Sequence, residues 1–119
     1  MNRVDVNSLV GHWPFRCLYK NTFKDLKTEH IKNNIDYGYV ASLNSIFYND
    51  PFEGDEELNS IIAGSGYKHV LTINPLLPNF EYDIERGLEE FNIKGVRVYP
   101  TYHGYRLDNE NFLRLCQLL

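Results

Sequence analysis

The chain has little cysteine, no basic block, no long apolar run and no glycine-rich phosphate loop. Cys17 and Cys116 are its only cysteines in 119 residues, too few and too far apart for a disulfide framework, and no CxxC pair suggests zinc. Cys116 stands among Leu115, Leu118 and Leu119 and reads as a small core residue. Lys and Arg number 12 against 16 Asp and Glu, for a formal net charge of −4, so an electrostatic footprint for nucleic acid is missing. No stretch approaches the roughly 18 apolar residues that read as a membrane span, and the start, MNRVDVNSL, has no apolar signal core. These absences predict a cytoplasmic protein that binds neither nucleic acid nor membrane. No GxGxxG or P-loop follows any strand, which argues against a nucleotide domain of the usual kind. His-x-His, His-Glu-x-x-His and clustered carboxylate pairs are also missing, so no metal ligand can be assigned from a motif.

What is present is a regular alternation. Hydrophobic content of 43% allows a buried core in one unit spanning 1–119. Strands are predicted near 3–7, 39–43, 69–73 and 95–99. Helices are predicted over 22–34, 55–63 and 82–91, with a last one from about residue 109. Thr22 and Asp25 resemble a capping box, with Leu26, His30 and Ile31 on one face. Asp55 is a plausible N-cap for the second helix, Glu56 and Glu57 suit its first turn, and Leu58, Ile61 and Ile62 form its buried stripe. Gly64 and Gly66 end it. Ile84, Leu88 and Phe91 point inward from the third helix, and Phe112, Leu115, Cys116 and Leu119 share a face of the last. Residues 47–54 read as a loop, and Pro100 stops the fourth strand.

Four βα units in succession demand a parallel sheet, because each crossover returns the chain to the same edge. The fold class is therefore α/β, a parallel βα repeat of four units. Two architectures remain: a small open doubly wound sheet, or half of an eight-unit (βα) barrel.

In either, chemistry sits at the carboxyl ends of the strands. Asn7, Asn44 and Asn74 end the first three strands, and the fourth leads through Arg97 and Tyr99 into Thr-Tyr-His-Gly-Tyr-Arg. Asn also ends strands for structural reasons, through helix caps and Asx turns. His12 and His103 lie in the loops after strands one and four, where a neutral imidazole serves as general base or packs against its aromatic neighbours. His30, mid-helix, and His69, at the opposite edge, read as structural. Arg97 either binds a substrate carboxylate bidentately or pairs with an acid at a strand end.

Three stretches, VDVNSLVGHWPFR at 4–16, NPLLPNFEYDIERG at 74–87 and GVRVYPTYHGYRLDN at 95–109, together resemble the N-terminal half of the amidohydrolase-related proteins. The resemblance covers nearly the whole chain, and its most specific element is the run at 95–105. It implies the first half of a TIM barrel, belonging to a hydrolase that acts on a small carboxylated, lactone or amide substrate. The family also implies a divalent metal such as zinc. Asp5 matches the aspartate of that family's first-strand Asp-x-His-x-His, but Asn7 and Leu9 stand where its two metal-binding histidines belong, so no ligand is carried over. The resemblance places His103 and His12 as catalytic candidates and Asn7, Asn44, Asn74, Arg97 and Tyr99 around the substrate. A half-barrel exposes a sheet edge and an inner face, so it is expected to be inactive alone and to need either its missing half or a second copy of itself. The alternative is a non-catalytic barrel that has lost its metal motif and binds a ligand or partner.

Overall fold

A computed structural model describes residues 2–119. Its elements alternate as expected: β1 (Val4–Val10), α1 (Phe23–Lys32), β2 (Tyr37–Ser42), α2 (Asn44–Phe47), α3 (Pro51–Ile62), β3 (Lys68–Thr72), α4 (Phe80–Arg86), β4 (Gly95–Arg97), α5 (Pro100–His103) and α6 (Glu110–Leu118). The four strands are all parallel and lie in the order β1-β2-β3-β4. No described helix is long and apolar enough to cross a membrane.

Strictly sequential order has a consequence. Parallel crossovers are right-handed, so stepping always in one direction lays every crossover helix on one face of the sheet. The core confirms this packing. Val10 and Val40 meet Phe23 of α1 with Leu58 and Ile62 of α3. Leu71 and Ile73 meet Phe52 of α3, Phe80 and Ile84 of α4, and Leu115 of α6. Strand alternation turns Leu9, Tyr39, Val70 and Arg97 to the other face, where they remain half-buried.

Thr22 caps α1, its Oγ1 accepting from Asp25 N at 3.1 Å. The next helix departs from expectation. Asp50, not Asp55, is the cap of α3, accepting from Phe52 N at 3.1 Å, and Pro51 opens the helix. Proline suits the first helical position because its missing N–H is one of those a helix start leaves unpaired. Residues 47–54 are therefore not a loop: α2 and the first turn of α3 occupy most of them. Gly54 is inside α3 because Ser45 of α2 presses on it; a Cβ there would come within 2.7 Å of Ser45 N.

Several apolar residues expected inside are exposed. Ile31, Ile61, Leu88 and Leu119 are all more than half exposed, and Cys116 is exposed with Cys17. Leu88 turns outward because α4 widens into a π turn over Gly87–Phe91, which shifts the side-chain register. Cys116 and Leu119 are outside because α6 packs through Leu115 and Phe112 alone. The fourth strand ends at Arg97, and Pro100 opens α5 rather than a loop.

Candidate functional site

The first strand is longer than its pattern suggests, so Asn7 lies within it rather than at its end. The pairing of β1 with β2 slips between Asp5 and Ser8, a bulge that gives β1 one extra residue. That residue breaks the period of two. Asp5 and Ser8 both face α1, where Ser8 Oγ donates to Asp5 Oδ2 at 2.8 Å and His30 Nε2 meets the same oxygen at 3.0 Å. Asn7 is turned to the opposite face and accepts from Arg97 Nη2. Burial pushes the Asp5 carboxyl up, but Asn7 N, Ser8 and His30 together hold it below its ordinary value.

The remaining asparagines serve the backbone. Asn44 Oδ1 accepts from His12 N at 2.8 Å while its Nδ2 donates to Glu57 Oε2 at 3.2 Å, clasping the first loop to α3. Gly11, at φ +131°, permits the approach, since a Cβ there would meet Asn44 Oδ1 at 3.0 Å. Asn74 Oδ1 accepts from Leu76 N at 3.1 Å in an Asx turn. The His12 side chain is exposed and lines a shallow cleft with Pro14, Phe47 and Tyr48. The structure thus brings Asn7 to Arg97 and leaves His12, Asn44 and Asn74 apart from them.

Around Arg97 the polar groups converge. Thr72 pairs with Arg97 in the β3–β4 register, so both side chains point to the face without helices. Thr72 is 1% exposed, and its Oγ1 has no protein partner. Burial pushes the Tyr99 phenol up against the pull of the Arg97 guanidinium beside it. The buried Tyr99 hydroxyl lacks an aligned partner.

The His103 ring stands edge-on to that of Tyr99, their centroids 6.2 Å apart. Its Nε2 lies 2.9 Å from the carbonyl oxygen of Ile46. A carbonyl only accepts, so Nε2 donates to it, and in the neutral ring Nδ1 is the acceptor nitrogen. That Nδ1 is buried and unpartnered. One ring nitrogen is thus anchored to backbone and the other has no protein partner.

Aromatic rings cluster at the carboxyl edge. Trp13 meets Phe47 at 5.3 Å and Tyr102 at 5.8 Å, edge to face, joining the first loop to α2 and α5. A cleft of about 640 Å³ is lined by Leu9, Leu43 and Trp13 together with Arg16 and Lys20. The described residues bring together no three side chains able to hold a metal ion. Asn7 is committed to Arg97 and Asp5 to His30, so the residues present do not fit the metal that the resemblance implies.

Sequence reasoning missed Thr72 and a second constellation. Asp55 is wholly buried; its Oδ1 lies 2.8 Å from His69 Nε2, and its Oδ2 accepts from Ser45 Oγ at 3.1 Å and Thr72 N at 3.3 Å. Burial pushes its carboxyl up while these donors pull against the rise. The signal was an acid on the inward stripe of a helix, at the spacing that Leu58 and Ile62 continue. No protein-family model, no curated protein and no solved structure matches this chain.

Proposed function

We propose that this chain is the first half of an amidohydrolase-like barrel that hydrolyses a small carboxylated lactone or amide. The observation that carries the reading is the free Nδ1 of His103 beside Tyr99 and Arg97 at the carboxyl edge. The Arg97–Asn7 bond adds support for the barrel. Flat strands would hold β1 and β4 about 14 Å apart, so a side-chain bond between them asks for a curled sheet.

In this reading Arg97 holds the substrate carboxylate, and the hydroxyls of Tyr99 and Thr72 donate to the carbonyl oxygen as negative charge develops there. His103 Nδ1 takes a proton from the attacking water and returns it to the leaving oxygen or nitrogen. No step passes through a metal. On the full-length protein, His103→Ala should lose at least about 100-fold in kcat, the usual reach of a positioned base. Arg97→Met should raise KM about tenfold or more, more than kcat falls. Unchanged turnover in His103→Ala overturns the assignment.

A second reading is a barrel that binds a ligand without chemistry. It is favoured by Asn7 and Leu9 on β1, in the places of the resembled family's metal-binding histidines. Saturable binding of a small carboxylate, lost in Arg97→Met, with no turnover across a panel of lactones and amides, would select it.

A further inference from the structure

On the helix-covered face of the sheet, a cleft opens between α1 and α3 that the proposed reaction does not use. It measures about 460 Å³, within the range of small-molecule pockets. Val10 and Ser42, paired at the carboxyl ends of β1 and β2, are on its lining. Phe23 of α1 and Leu58 of α3 line it as well, and both belong with Val10 to the core beneath these helices. Ile61 continues the α3 stripe from Leu58 and is 55% exposed on the same lining. The core's apolar surface therefore runs out into the cleft without a cover from the chain.

The charged groups of the lining are opposite in sign and come from opposite helices. Glu57 of α3 is its one acid, and Lys24 and Lys27 of α1 are its cations. The two signs do not meet: among the described residues none of the three forms an ion pair. Each is held on its own side instead. Asn44 Nδ2 donates to the Glu57 carboxylate at 3.2 Å and the Tyr48 hydroxyl donates to it at 3.1 Å. Both donors are neutral, so they fix the carboxylate without cancelling its charge, and its lone pairs are not exhausted. The Lys27 ammonium stands 4.9 Å from the centre of the Phe23 ring, one helical turn before it. A ligand that compensates both sides must carry an ammonium and a carboxylate together. One that also covers Leu58 and Ile61 must carry an apolar group. A simple carboxylic acid leaves Glu57 uncompensated, and a simple amine leaves Lys27 so.

We propose that this cleft binds a free α-amino acid with an aliphatic side chain. Its ammonium donates to Glu57, its carboxylate accepts from Lys27, and its side chain rests on Leu58 and Ile61. The cleft lies on the sheet face opposite Asn7 and Arg97, so the site stands or falls without the hydrolase reading.

Calorimetric titration of the full-length protein near neutral pH tests it, with L-leucine, isocaproate, isoamylamine and glycine as probes. Leucine should bind saturably with a Kd below about 1 mM. Isocaproate lacks the ammonium, isoamylamine the carboxylate and glycine the side chain, and each should bind at least about tenfold more weakly. Glu57→Gln keeps an acceptor for Asn44 and Tyr48, and Lys27→Met keeps an apolar stem over Phe23; both sites are exposed, so the core is untouched. Glu57→Gln should weaken leucine about tenfold and leave isocaproate unchanged, and Lys27→Met should weaken leucine by a similar factor and leave isoamylamine unchanged. No saturable binding of leucine, equal affinity for any of the three analogues, or indifference of leucine to either substitution overturns the proposal.

Discussion

The two edges of the sheet treat histidine in opposite ways. Away from the mouth, His30 and His69 are buried and each meets a carboxylate, Asp5 at 3.0 Å and Asp55 at 2.8 Å. At the carboxyl edge His12 is exposed and His103 is anchored to a carbonyl, and neither bonds an acid. A carboxylate partner makes the imidazole part of the scaffold, since breaking the pair strands a charge in the core. A carbonyl partner only fixes the tautomer and leaves the second nitrogen chemically available. The same residue is cement at one edge and, in the proposed function, a reagent at the other.

Removing the buried acid tests this contrast hardest. Asp55→Ala should cost about 3–5 kcal/mol, because His69, Ser45 Oγ and Thr72 N lose their common partner at once. Denaturant unfolding reads it, and a loss below about 1 kcal/mol would put the pair on the reagent side of the comparison. Gly54→Ala should follow at about 2–3 kcal/mol, since its new Cβ meets the Ser45 backbone and pushes α2 away from Asp55.

Asp83 gives a smaller effect of opposite sign. Burial, with Asp50 and Asp55 nearby, pushes its carboxyl from 3.8 to about 6. The folded state therefore holds a proton that the unfolded chain has released. Stability falls as pH rises from 3.8 toward about 6 and is level above that. Asp83→Asn should remove this slope and stabilise the protein at pH 7.5 by about 1 kcal/mol, after allowance for solvent screening. Melts at pH 4, 6 and 7.5 compare the two chains.

The carboxyl edge should resist substitution. His103→Ala should cost about 1 kcal/mol of stability, the worth of its bond to Ile46 O, while under the proposed function it should lower turnover far more. His12→Ala should change stability by less than about 0.5 kcal/mol, because Asn44 holds the His12 backbone N–H rather than the ring. A large loss of stability from either would erase the difference between the edges.

The elements were readable where local chemistry decides them. Thr22 announced α1 through its cap, Gly64 ended α3, and apolar runs at 39–43 and 69–73 marked inner strands. The candidate site was less legible. Arg97 and His103 stood out because they lie in the last strand and just after it, but Thr72 looked like any strand residue until the β3–β4 register set it opposite Arg97. Asp55 was mistaken for a helix cap because Pro51 and Gly54 read as loop residues, although proline begins α3 and Gly54 makes room for Ser45. The asparagine coincidence at three strand ends dissolved into an Asx turn, a loop clasp and one bond to Arg97.

Sequence by itself determined the α/β class and the parallel sheet, because hydrophobic period and helix caps are local and survive any arrangement of the elements. It also set Asp5, Asn7 and Leu9 in a strand-like run, the residues that β1 contains. Only tertiary structure decided which way those residues face. One bulge between Asp5 and Ser8 reverses the alternation, sending Asp5 to His30 and Asn7 to Arg97, 90 residues away in the chain. Strand pairing, not residue type, sets that register, and pairing is a property of two strands at once.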